Sequence, residues 1–160
     1  MDSADQVALF LRVLLAAALG AFIGIERELR GYPAGVRTMA LVAMGSALFT
    51  EISLITSTED RIAAGIVTGI GFLGAGVIFR EGYTIKGITT AATVWSAAAI
   101  GMAVGRRLYL AAGLGALLIF LLLEARLVVG PFDDFLRARV PWLIVHEPEE
   151  RAKRNENDRR

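Results

Sequence analysis

The chain has 160 residues, of which 55% are apolar and 21% are charged, and its formal net charge is only +1. This near-neutral balance argues against a basic nucleic-acid-binding surface, and the absence of cysteine excludes disulfides and thiolate metal sites. The mean hydropathy of +0.56 instead indicates a single membrane unit.

Five apolar segments predict an all-α membrane protein. They cover residues 7–25, 38–57, 62–79, 88–105 and 108–129. Each is close to the roughly 20 residues that a helix needs to cross a bilayer core. The first segment is predicted to be a retained helix, because Asp2 and Asp5 give its leader the wrong charge for a signal peptide. The predicted membrane domain is residues 1–130, followed by a short, mostly disordered cytoplasmic tail of residues 131–160.

The basic residues between these segments predict the orientation. Thirteen Lys and Arg lie on the side that holds the 26–37 loop, the 80–87 loop and the C-terminal tail, against four on the other side. The positive-inside rule therefore places the N-terminus outside and the C-terminus inside.

A weak internal repeat aligns residues 20–38 with residues 74–90. It predicts two helical hairpins of the same orientation, related by an axis along the membrane normal. Glu26 and Glu81 would then occupy related places at the cytoplasmic face. Coincidence is the alternative, because Gly and Ala are common throughout these segments.

Small residues predict close helix packing. A G-x-x-x-G spacing occurs on helices 1, 3 and 4, and such spacings allow two helices to approach closely in lipid. Packing within one bundle is the first interpretation, and the seam of a homodimer is the alternative. The glycines of these motifs are Gly20, Gly24, Gly65, Gly69, Gly101 and Gly105, and Gly74 on helix 3 is a further packing candidate.

Two charges interrupt the apolar pattern, Arg12 in the first segment and Glu51 in the second. Counted from the outer ends of their segments, they lie at similar depths of about 8 and 10 Å. We expect them to form an ion pair in the outer leaflet, each relieving the other's desolvation. Separate snorkelling to the outer surface is the alternative.

The remaining charges lie at the cytoplasmic ends of the helices, and no enzyme constellation or cofactor site is predicted. The Arg37-Thr38 and Thr89-Thr90 pairs open helices 2 and 4, whose free amides can hold a carboxylate. Glu81 is the candidate for that carboxylate, or for a ligand of hydrated magnesium, which needs only one or two carboxylates. Simple interfacial anchoring is the alternative. The charged candidates are Glu26, Arg27, Arg37, Arg80 and Glu81.

Longer motifs carry a family resemblance. The stretches GFLGAGVIFREG and GITTAATVWSAAAIGMAVG, preceded by GAFIGIERELRG and AGVRTMALVAMGSALF, resemble the MgtC/SapB family of bacterial inner-membrane proteins. The resemblance covers residues 14–123 and implies a five-helix, N-out domain in the cytoplasmic membrane. Glu81 matches the acid of the family's R-E-G motif, and Trp95, in the second stretch, is a further candidate.

The resemblance also implies function: a part in magnesium limitation, in virulence for some members, and in modulating membrane proteins such as F-type ATP synthase or P-type cation pumps. Thr89 departs from the asparagine of virulence-linked members and resembles the SapB-like branch. The sequence ends at Arg160, without the soluble C-terminal domain of longer members. Both departures weigh against the virulence role and the ATP-synthase partnership.

The sequence therefore predicts a non-enzymatic protein that modulates other membrane proteins or Mg²⁺ homeostasis. The alternative is a small cation transporter or channel with a cytoplasmic-face site around Glu81. Helices 3 and 4 have no acidic residue at mid-membrane, which favours the first interpretation because an ion path normally needs one.

Overall fold

A computed structural model describes residues 2–82 and 84–125, and within them the chain is mostly helical, as predicted. The predicted tail of residues 131–160 and the predicted domain boundary at residue 130 lie outside the described residues. The elements in chain order are α1 Ser3–Leu29, α2 Val36–Thr56, α3 Glu59–Gly76, β1 Phe79–Glu81, β2 Thr84–Lys86, α4 Ile88–Gly105 and α5 Tyr109–Glu124.

Three of the described helices, α1, α2 and α4, are long and apolar enough to cross a membrane. The apolar parts of the other two, Arg61–Gly76 and Tyr109–Glu124, are shorter. A helix of 16 residues spans about 24 Å, less than the ~30 Å of a typical hydrocarbon core. The five-span arrangement therefore remains a prediction.

Side-chain hydrogen bonds define the start of α1. Asp2 and Asp5 form a capping box, in which Asp5 N–H donates to Asp2 Oδ1 over 2.8 Å and Asp2 N–H donates to Asp5 Oδ2 over 3.1 Å. Capping boxes satisfy donors that a helix start leaves unpaired. The helix consequently begins at Ser3, four residues before the predicted apolar segment.

Helix α2 lies against both α1 and α4, and glycines make these contacts close. A Cβ on Gly24 of α1 would lie 2.6 Å from Val36 Cα, and one on Gly101 of α4 would lie 2.9 Å from Ala43 Cα. Gly20 and Gly105 are similarly confined. These four glycines of the predicted motifs therefore pack inside the bundle.

The third motif, Gly65 and Gly69 on α3, behaves differently. A Cβ at either position would meet nothing within 4 Å, so among the described residues these glycines do not pack against a neighbouring helix, contrary to the first interpretation. Gly74 is intermediate, because a Cβ there would lie 3.6 Å from Ala91 Cβ, an ordinary contact. Spacing alone could not separate these cases, since it does not specify which helix face has a neighbour.

The connection between α3 and α4 is an antiparallel β-hairpin that the sequence did not predict. It pairs Phe79 with Lys86, Arg80 with Ile85 and Glu81 with Thr84. Helix α3 ends at Gly76, three residues before the predicted apolar segment ends. Two glycines permit the change of direction, because Gly82 and Gly87 adopt φ values of 60° and 93°, which side chains disfavour.

Candidate functional site

Two charged residues at the C-terminal end of α1, Glu26 and Arg27, are each only 2% exposed. Arg27 Nη1 lies 3.4 Å from Glu26 Oε2, and Arg30 Nε lies 2.7 Å from Glu26 Oε1. Arg27 Nη2 donates to Thr90 Oγ1 on α4 over 3.4 Å, and its Cζ lies 3.5 Å from the ring centre of Tyr32. We call these five residues the Glu26 cluster.

The Glu26 cluster carries one carboxylate and two guanidinium groups, close to the N-terminal turn of α4, where the helix dipole is positive. Within the described residues, Glu26 Oε1 and Arg27 Nε make no hydrogen bond. The Glu26 Oε1 contact to Arg30 is therefore an ion pair without hydrogen-bond geometry. Buried charges are normally fully paired, so this incomplete pairing marks the cluster as a candidate functional site.

The N-terminus of α2 already holds a carboxylate. Glu28 Oε2 accepts a hydrogen bond from Val36 N–H over 2.7 Å. Glu28, near the end of α1, thus satisfies one free amide at the start of α2, and a carboxylate supplied there by Glu81 stays a prediction. Arg37 and Thr38 are exposed in the first turn of α2, beside Glu28 in a polar cavity of about 320 Å³.

Glu81 lies on the hairpin, where it is exposed and forms an ion pair with Lys86. The hydrogen bond from Lys86 and its positive charge hold the pKa of Glu81 below its usual range. Arg80 also bonds within the hairpin, donating from Nε to the Gly82 carbonyl over 2.8 Å. The repeat predicts related places for Glu26 and Glu81, but one is buried and the other exposed.

The two threonines at the start of α4 also differ in exposure. Thr90 is buried in the Glu26 cluster, whereas Thr89 is exposed. Trp95, one turn further along α4, is 52% exposed and lines a cavity of about 240 Å³ with residues of α3 and α4. The structure therefore joins Arg27 and Thr90 of the predicted site and leaves Thr89 and Trp95 at the surface.

The structure brings Arg12 and Glu51 together across α1 and α2. Both Nε and Nη2 of Arg12 contact the carboxylate of Glu51, with 3.2 Å between Nη2 and Oε2. The side chains are 15% and 4% exposed, respectively. This bidentate arrangement gives the pair both strength and defined geometry.

Two residues of the Glu26 cluster, Arg30 and Tyr32, were not among the site residues selected from the sequence, although Arg30 belongs to the same run of charges. Arg30 follows Glu26 by four positions, a spacing at which helical ion pairs form, so this partner was readable. The stacking of Tyr32 on Arg27 could not be predicted from the sequence, because it depends on how the loop after α1 folds back. Within the described residues no group of three or more His, Asp or Glu is placed to hold a metal ion.

Comparison with known sequences places these features in context. The profile of the MgtC family matches residues 13–130. The uncharacterized protein slr0014 of Synechocystis sp. is 46% identical over 129 residues, which are 79% of this chain and 54% of that protein. Protein MgtC of Salmonella typhimurium is 56% identical over 97 residues, which are 59% of this chain and 42% of that protein.

Protein MgtC of Brucella abortus is also similar, with 50% identity over 93 residues, covering 56% of this chain and 39% of that protein. The chain thus spans about half, or less, of the length of these curated relatives. No solved structure matches it.

Proposed function

The chain belongs to the MgtC family, and from that premise we propose that this integral membrane protein acts in Mg²⁺ homeostasis by modulating another membrane protein, without enzymatic activity. In this proposal it lies in the bacterial cytoplasmic membrane with five spans, its N-terminus outside and its C-terminus inside. The distribution of thirteen against four basic residues supports the orientation.

The short helices α3 and α5 are compatible with five spans. A bilayer can thin locally around a short apolar helix at modest cost in free energy.

The proposed repeat of two helical hairpins also has support at two contacts. Gly20 lies against Met39 and Gly74 against Ala91, and each partner is the fourth residue of its helix.

The positions of the buried charges favour modulation over transport. The buried charges of the described bundle lie on α1 and α2, at two levels, the Arg12–Glu51 pair and the Glu26 cluster. Arg12 and Glu26 are separated by about 21 Å along α1. Between the two levels the described buried side chains carry no charge: they are mainly small or apolar, with hydroxyl groups at Ser46 and Thr93. An ion path normally needs ionisable groups at mid-membrane, so their absence from this part of the described bundle supports a regulator rather than a transporter.

The surface offered to a partner would include the hairpin of residues 79–86. The side chains of its two strands are exposed, and these strands combine Arg80, Glu81 and Lys86 with apolar Phe79 and Ile85. By family resemblance the partner would be a cation pump or ATP synthase. Crosslinking in native membranes from a photoreactive residue at Thr84 tests this. Loss of the captured protein on Glu81→Lys would support the surface, and equal capture from Arg106, at the opposite face, would contradict it.

Reconstitution separates modulation from transport. The purified protein in liposomes should give Mg²⁺ and proton flux equal to that of empty vesicles. Flux above this background that Glu81→Gln abolishes would instead establish a transporter with a site at that carboxylate.

The orientation has its own test, which the lack of native cysteine makes simple. Cysteine at exposed Thr84 should be shielded from an impermeant thiol reagent in intact cells, and cysteine at exposed Arg106 should react. The reverse pattern would invert the proposed topology.

A further inference from the structure

An apolar groove of about 620 Å³ runs between α2 and α3. Two stripes at helical spacing face each other across it: Leu41, Gly45 and Phe49 on α2, and Gly65, Gly69 and Leu73 on α3. The groove is separate from the Glu26 cluster and from the hairpin, so the proposed function makes no use of it.

The glycines of this groove have no packing role in the described chain. A Cβ on Gly45, Gly65 or Gly69 would meet nothing within 4 Å. Glycine in a helix interior costs about 1 kcal/mol relative to alanine, and at Gly24 and Gly101 close helix contact compensates for it. The open glycines instead keep space clear, which indicates an occupant outside the described residues.

One cationic side chain lines the groove, at the end where Glu59 and Asp60 precede it in the sequence. Arg61, in the first turn of α3, is exposed and lines the groove. From Arg61 to Leu73 the groove follows α3 for about 18 Å, close to the ~15 Å thickness of one hydrocarbon leaflet. If α3 crosses the membrane as proposed, the guanidinium group lies at the headgroup level and the apolar stripes lie within the leaflet beside it.

The groove therefore has the shape and charge of a lipid site: an apolar channel one leaflet long with a cation at the headgroup end. We propose that it holds an acyl chain of a phospholipid whose phosphate contacts Arg61. Arginine suits this role because its guanidinium group binds phosphate oxygens in a bidentate manner.

A second copy of the chain fits the groove less well. In a dimer with its two-fold axis along the membrane normal, equal residues lie at equal depth. Two copies of α3 meeting at Gly65 and Gly69 would bring both Arg61 side chains to the same end of one interface. Their like charges would repel, whereas the phosphate of a lipid would neutralise the single charge.

Native mass spectrometry of the detergent-purified protein tests the site. The probes are phosphatidylglycerol and a diacylglycerol with the same acyl chains but no phosphate. We expect one phosphatidylglycerol to be retained per chain and to bind at least tenfold more tightly than the diacylglycerol. Arg61→Gln should weaken phosphatidylglycerol binding by roughly tenfold, as expected for one charge-assisted contact. Arg106→Gln, an exposed arginine outside the groove, is the matched control.

Filling the groove gives an independent variant. Gly65→Leu should abolish retention of the lipid, whereas Gly113→Leu, at an open glycine of α5 outside the groove, should not. Circular dichroism establishes that each variant is folded, and Arg61→Gln tests the site without altering a helix contact.

Equal retention by Gly65→Leu, or equal binding of the two probes, would overturn the proposal. A dimer mass that disappears on Gly65→Leu would assign the groove to a second copy. The readout is lipid mass rather than ion flux or partner capture, so its failure leaves the proposed function untouched.

Discussion

Replacing Arg12 or Glu51 alone should destabilise the protein far more than replacing both. Glu51 is the more deeply buried partner, with a side chain 4% exposed against 15% for Arg12. Arg12→Leu would leave that carboxylate uncompensated in the membrane, at a cost of about 3–5 kcal/mol. Glu51→Leu should cost less, because the longer arginine side chain can reach the headgroups.

The double variant Arg12→Leu/Glu51→Leu should lie within about 1 kcal/mol of the wild type, since replacing a buried pair by apolar residues is often neutral. Thermal unfolding in mild detergent, followed by circular dichroism, measures the cycle. For a protein of this size, 3 kcal/mol corresponds to a fall in Tm of roughly 6–12 °C.

A matched control combines Arg12→Leu with Thr68→Val. Thr68 is exposed on α3 and bonds its own helix at the Ala64 carbonyl, so the two effects should add within about 0.5 kcal/mol. If the Arg12 and Glu51 substitutions add in the same way, the two charges do not stabilise each other and the reasoning fails.

Three further predictions concern other contacts. Gly101→Ala should lower the free energy of unfolding by about 1–3 kcal/mol, because its Cβ would press on the α2 backbone. Gly113→Ala should not destabilise the protein, and equal melting temperatures of the two variants would contradict the packing of Gly101 against α2. Lys86→Met should raise the pKa of Glu81 in an NMR titration. In the wild type the ion pair persists at neutral pH and is lost only as the pH falls through the lowered pKa of Glu81, and an unchanged pKa in the variant would refute the pair. Glu28→Ala should lower the free energy of unfolding by about 1 kcal/mol, because a helix cap is lost. Glu28→Gln keeps an acceptor and should lower it less, and equal losses of stability in the two variants would argue against capping.

The sequence predicted the broad architecture well because apolar length and charge are local properties. Helix α4 begins and ends at the predicted residues, and α2 differs from its predicted segment by two residues or fewer. The family resemblance, which rests on contiguous motifs, is confirmed by the match over residues 13–130. The expected proximity of Arg12 and Glu51 followed from depth alone, because neighbouring antiparallel helices place equal depths side by side.

Only the tertiary structure decided how equivalent patterns are used. The same G-x-x-x-G spacing packs against α2 on α1 and α4 but lines an open groove on α3, because spacing defines a helix face and not its neighbour. Likewise, Glu26 is buried and Glu81 exposed, because Glu26 lies on the packed face of α1 and Glu81 lies on the exposed β-hairpin. Such choices depend on contacts between residues far apart in sequence, which local propensity does not specify.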